Sequence, residues 1–165
     1  TLSTTAGNKI REAAGSLIAQ QLKEAGILAE VRLVDVPAFF GDTLKNRRFE
    51  AAMYAWVMGT DPDNYTFWHS RHIPGRSSGY EGQNYSGWSN PEVDQLLEKG
   101  RRTVNMEERK QIYYRLQDLI IQEAPVVPLY FRSTIDAVKM TVANYSPNPA
   151  PAGQMWNAWQ WGFTK

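Results

Sequence analysis

The 165-residue sequence predicts an α/β fold with a mixed, mostly parallel sheet flanked by helices. The first observation is an alternation of strand and helix patterns over residues 2–57, with strand-like segments at 2–5, 29–36 and 50–57. Strands that alternate with helices are typical of parallel sheets. The second observation is that the apolar run at 50–57 is too continuous for a half-exposed strand, so it indicates a central strand.

The helix boundaries follow from capping residues and prolines. Four main helices are predicted, at residues 8–26, 37–46, 90–99 and 105–125, and the first begins at Asn8 and ends at Gly26. Asn105 with Glu108 resembles a capping box at the start of the fourth helix. Three further strands are predicted at residues 126–131, 134–140 and 155–161, with an irregular, proline-rich segment at 144–153.

A long loop at residues 59–88 separates the second helix from the third. It combines Gly, Pro, Ser and Asn with several aromatic residues, and it contains at most a short helix near residues 63–69. Loops of this length inside a domain are usually functional or disordered, and the aromatic content disfavours disorder. Trp56 ends the strand before this loop, where ligands bind in open α/β sheets. The same position also suits a tryptophan that fills the core.

Composition excludes several classes of function. The net charge is +1, from 18 basic and 17 acidic residues, so the chain lacks the basic field that nucleic-acid binding needs. Cysteine is absent, which rules out thiolate metal sites, thiol nucleophiles and disulfides. No phosphate-binding glycine loop or nucleophile elbow is present. We therefore expect no enzyme, no cofactor and no nucleic-acid partner.

Two small groups of polar residues are candidate sites. Asp61 and Asp63 flank a proline, and turn formation and helix capping explain them better than acid–base catalysis. His69 and His72 are the only histidines, and a spacing of three suits one helical face. A third ligand is not evident and Arg71 lies between them, so no metal site is predicted.

An ordered set of motifs resembles the C-terminal lobe of family 5 solute-binding proteins, which deliver oligopeptides, dipeptides, nickel chelates or oligosaccharides to ABC importers. The match runs in the same order from residue 8 to residue 161, and its most specific part is Asn-Tyr-Ser-Gly-Trp-Ser-Asn-Pro-Glu-Val-Asp at 84–94. The other matching stretches are Phe-Glu-Ala-Ala-Met-Tyr-Ala-Trp at 49–56, Asp-Pro-Asp at 61–63, Glu-Glu-Arg at 107–109 and Glu-Ala-Pro-Val-Val-Pro-Leu-Tyr at 123–130.

This resemblance implies a periplasmic-binding-protein-like lobe that spans residues 1–165 of a larger, two-lobed protein. The other lobe would lie N-terminal to Thr1, and residues 144–165 would return toward it. The implied function is reversible capture of a peptide or other small solute, with no bond made or broken. The implied partners are the ligand, the N-terminal lobe and the importer permease. The implied location is periplasmic or extracellular, either free or tethered by lipid.

The resemblance also implies the site. In the family, the aromatic residue that matches Trp56 lines the cleft, so Trp56 is expected to act as a stacking platform and Asp61 as a polar anchor. Tyr65 and Asn84 are expected to form walls or donate hydrogen bonds. Peptide-binding relatives place an acidic residue where this sequence has Gly59. Two alternatives therefore stay open: a carbohydrate-binding or carbohydrate-active domain, and the effector-binding domain of a regulator.

Overall fold

The computed structural model describes residues 1–133, 135–148 and 153–164, which divide into two units. The first unit comprises Thr1–Trp56 and Asp63–Val126. The second comprises Val57–Pro62 and the described residues from Val127 onward.

The first unit contains a three-stranded parallel sheet. Its strands are β1 (Leu2–Thr5), β2 (Val31–Val34) and β3 (Ala51–Met53), in the order β2-β1-β3. Leu2 lies opposite the first residue of each neighbour, Val31 on one side and Ala51 on the other. The predicted α/β class and the parallel pairing of the first three strands are therefore confirmed.

The predicted central strand at 50–57 was wrong in position and in length. Within the described residues, β1 occupies the centre, and β3 is a three-residue strand at the edge. The Met53 carbonyl accepts a hydrogen bond from the Thr4 hydroxyl at 2.8 Å. Beyond Met53 the rings of Tyr54 and Trp56 pack into an aromatic cluster, so burial of these rings explains the apolar run that looked like a central strand.

One face of the sheet is covered by helix α1 (Lys9–Glu24). It begins where predicted, because the Asn8 side chain accepts a hydrogen bond from the Arg11 amide at 3.1 Å and caps the first turn. A Cβ placed on Gly15 would lie 3.3 Å from Val31 Cγ1, so the glycine lets α1 approach β2 closely.

The opposite face is covered by helix α2 (Val36–Ala38), which continues as a π-helical segment at Phe39–Leu44. Phe39 and Leu44 are fully buried there. They pack with Ala52, which neighbours Met53 along β3 and therefore points to the other side of the sheet.

The remaining helices of the first unit are α3 (Tyr65–Trp68), α4 (Pro91–Arg102) and α5 (Met106–Glu123), with 3₁₀ turns at Ser70–His72 and Arg76–Ser78. Asn90 and Asn105 cap α4 and α5, as predicted. The buried core that these helices share is formed by Tyr65, Val93, Leu97, Tyr113, Leu116 and Leu119. None of the helices in the described ranges is long and apolar enough to cross a membrane.

The second unit contains a small antiparallel pair of strands, β4 (Val142–Ala143) and β5 (Gly162–Phe163). A 3₁₀ turn at Ala158–Gln160 lies between them and leads into β5. The predicted strand at 155–161 was wrong. The Asn157 carboxamide donates to the Asn144 carbonyl at 2.8 Å and accepts from the Trp161 indole at 2.9 Å. Such bonds from a side chain to nearby groups stabilise a turn in place of a strand.

The strands predicted at 126–131 and 134–140 were also wrong for the residues that can be judged. Residues 126–133 and 135–139 form no strand, and Thr134 lies outside the described residues. Residues 149–152 of the predicted irregular segment lie outside them too, as does Lys165 at the end of the predicted returning segment.

Candidate ligand-binding site

Trp56 lies three residues beyond the end of β3, at the edge where parallel strands present their carboxyl ends. The side chain is half-buried. Its ring stacks on Tyr85, with centroids 5.9 Å apart and planes 16° apart. On another side the ring meets Phe67 at 4.9 Å with a tilt of 40°. The indole is therefore fixed between two rings and still reaches solvent, as a stacking platform requires.

Trp56 belongs to a larger group of packed rings, here called the aromatic cluster. Its members are Phe39, Phe40, Tyr54, Trp56, Phe67 and Tyr85. Tyr54 meets Trp56 edge-on, with centroids 5.5 Å apart and planes 87° apart, which is a favourable arrangement for two aromatic quadrupoles. Burial raises the pKa of Tyr54 and of Tyr85, so both phenols stay neutral at pH 7. The cluster itself therefore carries no charge.

Phe67 is a site residue that the sequence analysis did not select. Like Phe40, Tyr54 and Trp56, it is a half-buried member of the aromatic cluster, and it packs directly against Trp56. The short helix predicted near residues 63–69 could have identified it, because side chains two positions apart in a helix point about 200° apart. On α3, burial of Tyr65 therefore directs Phe67 to the other side.

Tyr65, which the sequence predicted as a wall residue, lies in the core between α3 and α4. It is buried, and its hydroxyl donates to Glu98 Oε1 at 2.6 Å. This hydrogen bond is the largest cause that lowers the pKa of Glu98. The Arg101 guanidinium sits 4.4 Å from the centre of the Tyr65 ring. These internal contacts occupy both the ring and the hydroxyl, so we assign Tyr65 to the scaffold of the site.

Asn84, predicted as a hydrogen-bonding residue, is 1% exposed. Its amide nitrogen donates to three backbone carbonyls, those of Trp88 at 2.8 Å, Trp68 at 3.2 Å and His69 at 3.4 Å. Its side-chain oxygen accepts from the Ser86 hydroxyl at 2.9 Å. The carboxamide thus holds two parts of the long loop together and fixes the segment that carries the neighbouring Tyr85. We assign Asn84 to the scaffold as well.

Asp61 is exposed and lies in the Val57–Pro62 segment, which belongs to the second unit. Its role as a polar anchor stays a prediction.

The two histidines lie in the long loop, beside α4. His69 Nδ1 accepts from the Arg71 amide at 3.1 Å and lies 3.4 Å from Asp94 Oδ1. Asp94 also accepts from the Ser70 amide at 2.8 Å, which ties this turn to the first turn of α4. In the part of the chain that the structure describes, no three His, Asp or Glu side chains are grouped to hold a metal ion.

The His72 ring is expected to titrate below its ordinary pKa of 6.5. Burial is the main cause, and electrostatic interactions with His69, Arg71 and Arg101 lower the pKa further. The unfolded chain therefore binds this proton more readily, so the His72 contribution to stability is complete above about pH 6.5 and declines as the pH falls toward the folded pKa. An NMR titration of the His72 ring checks the value. Arg71→Gln should raise the pKa of His72, because it removes a nearby positive charge. An unchanged titration midpoint would show that Arg71 does not affect this pKa.

No protein-family model matches the sequence. Curated relatives do match. The oligopeptide-binding protein AppA of Bacillus subtilis is 26% identical over 166 residues, which cover 100% of this chain and 29% of the relative. The peptide transport periplasmic protein SapA of Haemophilus influenzae is 30% identical over 135 residues, which cover 76% of this chain and 23% of the relative.

Solved structures extend this similarity to the fold. The Bacillus subtilis AppA structure, in complex with a nonapeptide, matches 99% of this chain with a TM-score of 0.81 and 26% identity, and 31% of its own chain is covered. The oligopeptide-binding protein of Thermus thermophilus, in complex with a pentapeptide, matches 98% with a TM-score of 0.83 and 29% identity, and 29% of its own chain is covered.

These matches confirm the family resemblance and the fold class predicted from the motifs. The relatives are peptide-binding proteins of the ABC-transporter type, and the fold is that of periplasmic binding proteins. The chain spans less than a third of the length of AppA, of SapA and of the Thermus protein. It therefore matches one part of each of these relatives.

Proposed function

We propose that this chain is a ligand-binding lobe of the solute-binding component of an ABC importer, and that the protein captures peptides reversibly without chemical change. The observation that carries the proposal is the match of 98% or more of the chain to two oligopeptide-binding proteins whose structures hold a bound peptide. The relatives are binding proteins and not enzymes. The proposal places the protein outside the cytoplasmic membrane, where it would deliver its ligand to an importer permease.

The proposed ligand surface is formed by Trp56 and Phe67 of the aromatic cluster. Trp56 and Phe67 present two rings in fixed orientation next to the carboxyl edge of the sheet. A flat, uncharged surface of this kind favours apolar and aromatic side chains of a peptide, which stack on it with little loss of conformational entropy. A second lobe of the parent protein would close over this surface by hinge bending.

The test is retention of peptides by the full-length protein that contains this chain. Immobilised protein is incubated with a randomised pentapeptide mixture, and the retained peptides are eluted and quantified by mass spectrometry. Trp56→Ala should reduce retention about tenfold or more, since loss of a buried aromatic contact costs on the order of 1.4 kcal/mol or more. The eluted peptides should be intact.

The matched control is Tyr114→Ala, which removes an aromatic ring that is 48% exposed on α5 and lies outside the aromatic cluster. Retention should stay at the wild-type level. Wild-type protein that retains no peptide, or a Trp56→Ala protein that retains as much as wild type, contradicts the proposal. Retention of oligosaccharides in place of peptides would support the carbohydrate-binding alternative.

A further inference from the structure

The second unit has no apolar core within the described residues. The buried hydrophobic side chains that the structure describes all belong to the first unit. Among the described residues of the second unit, only Asn157 is buried, and its polar side chain bonds to the Asn144 carbonyl and the Trp161 indole. Burial of apolar surface is the main favourable term in folding, and a few hydrogen bonds do not replace it. The second unit therefore needs an apolar contact beyond those it makes here.

Large apolar side chains of the second unit face solvent instead. Between residues 135 and 163, five described side chains are at least 67% exposed, here called the uncovered apolar group: Ile135, Met140, Met155, Trp159 and Phe163. The Trp159 ring meets Trp156 edge-on at 6.2 Å, so a second indole lies beside it. So many exposed large apolar side chains in one small unit are typical of a surface that another structure covers.

The main chain of the second unit favours a protein as the covering structure. Among the described strands, β4 and β5 pair only with each other, so the outer edge of each is unpaired. An isolated two-stranded pair is only marginally stable, and it normally gains a third strand or a packed helix. A lipid surface would leave the free N–H and C=O groups without partners, whereas a protein can supply both hydrogen bonds and apolar contacts.

We propose that the uncovered apolar group packs against the part of the parent protein that lies outside this chain, and that this interface stays closed with and without peptide. This inference rests on the proposed function, which makes the chain one lobe of a longer protein. AppA matches 100% of this chain, the second unit included, although the chain covers only 29% of AppA. The remaining polypeptide is tethered to the second unit, so its effective concentration there exceeds that of a second copy. A unit without its own core needs this contact in both states.

The methionines allow a direct test in the full-length protein without peptide. Hydrogen peroxide is added, and mass spectrometry measures how much faster each methionine oxidises in urea than in the folded protein. This protection factor should be large for buried Met53 and close to one for Met106, which is 73% exposed on α5. Met140 and Met155 are 99% and 67% exposed in the chain described here. The interface should nevertheless protect both about tenfold or more, because oxidation depends on exposure of the sulfur.

Protection factors close to one at Met140 and Met155 would overturn the interface. Protection that vanishes when the protein is diluted about a hundredfold would also overturn it, because the cover would then be a second copy. Protection that appears only after peptide is added would assign the contact to closure around the ligand and not to a permanent interface. Peptide retention by the same protein separates the two proposals. Retention without protection refutes this inference alone, whereas absence of retention refutes peptide capture whatever the oxidation rates show.

Discussion

Replacing Asn84 with alanine should destabilise the chain by about 3 kcal/mol, because the carbonyls of Trp88 and Trp68 lose their side-chain donor and the His69 carbonyl keeps only the His72 amide. The side-chain amide has two N–H groups, which serve the carbonyls of Trp88, Trp68 and His69. No water can replace them without opening the loop, since Asn84 is 1% exposed. Urea unfolding followed by tryptophan fluorescence measures the change in free energy.

Ser86→Ala is the graded control for Asn84. It removes the donor to the Asn84 side-chain oxygen, at 2.9 Å, and the acceptor of the Trp88 amide, at 3.3 Å, and it leaves the bonds from the Asn84 amide in place. The bond to Trp88 is long and exposed to water, so its loss adds little. Its cost should be about 1 kcal/mol, the usual net value of one hydrogen bond. Equal effects of the two substitutions would mean that the three carbonyl contacts contribute little. Loss of peptide retention in Asn84→Ala without loss of stability would instead return Asn84 to direct ligand contact.

Replacing Phe39 with alanine should cost about 4 kcal/mol, through lost burial and the cavity left behind. Phe39 is 0% exposed, and its ring meets Phe40 at 5.3 Å and Tyr54 at 6.2 Å. Tyr54 in turn packs edge-on against Trp56, so the substitution should also loosen Trp56 and weaken peptide retention. Urea unfolding and the pentapeptide assay measure the two effects.

The control for Phe39 is the same truncation at Phe131, whose side chain is 101% exposed in the described structure. Substitutions at such positions usually change stability by less than about 0.5 kcal/mol. A similar cost at both positions would show that burial of Phe39 is not what stabilises the aromatic cluster.

The parts of the fold that local interactions determine could be predicted from the sequence. The first turns of α1, α4 and α5 begin at Asn8, Asn90 and Asn105, because a side-chain oxygen there satisfies amides that the helix leaves free. The three parallel strands followed from their alternation with helices. The ordered motifs indicated the resemblance to solute-binding proteins, which the peptide-binding relatives confirm.

The parts that depend on distant contacts could not be predicted. An apolar run at 50–57 suits both a central strand and a short edge strand followed by packed rings, and the pairing of β1 on both sides decides between them. The sequence also could not show that the side-chain amide of Asn84 bonds to backbone carbonyls inside the loop, because an asparagine suits a ligand contact equally well. The turn before β5 is stabilised partly by the bond from Asn157 to the Asn144 carbonyl, which lies thirteen residues earlier in the chain.

The close approach of α1 to β2 at Gly15 has a consequence for how this protein can change over evolution. A Cβ at position 15 would lie 3.3 Å from Val31 Cγ1, closer than side chains normally pack, and 3.5 Å from Met53 Cε. A lineage that replaced this glycine would need a smaller or shifted residue at position 31, so we expect the two positions to vary together.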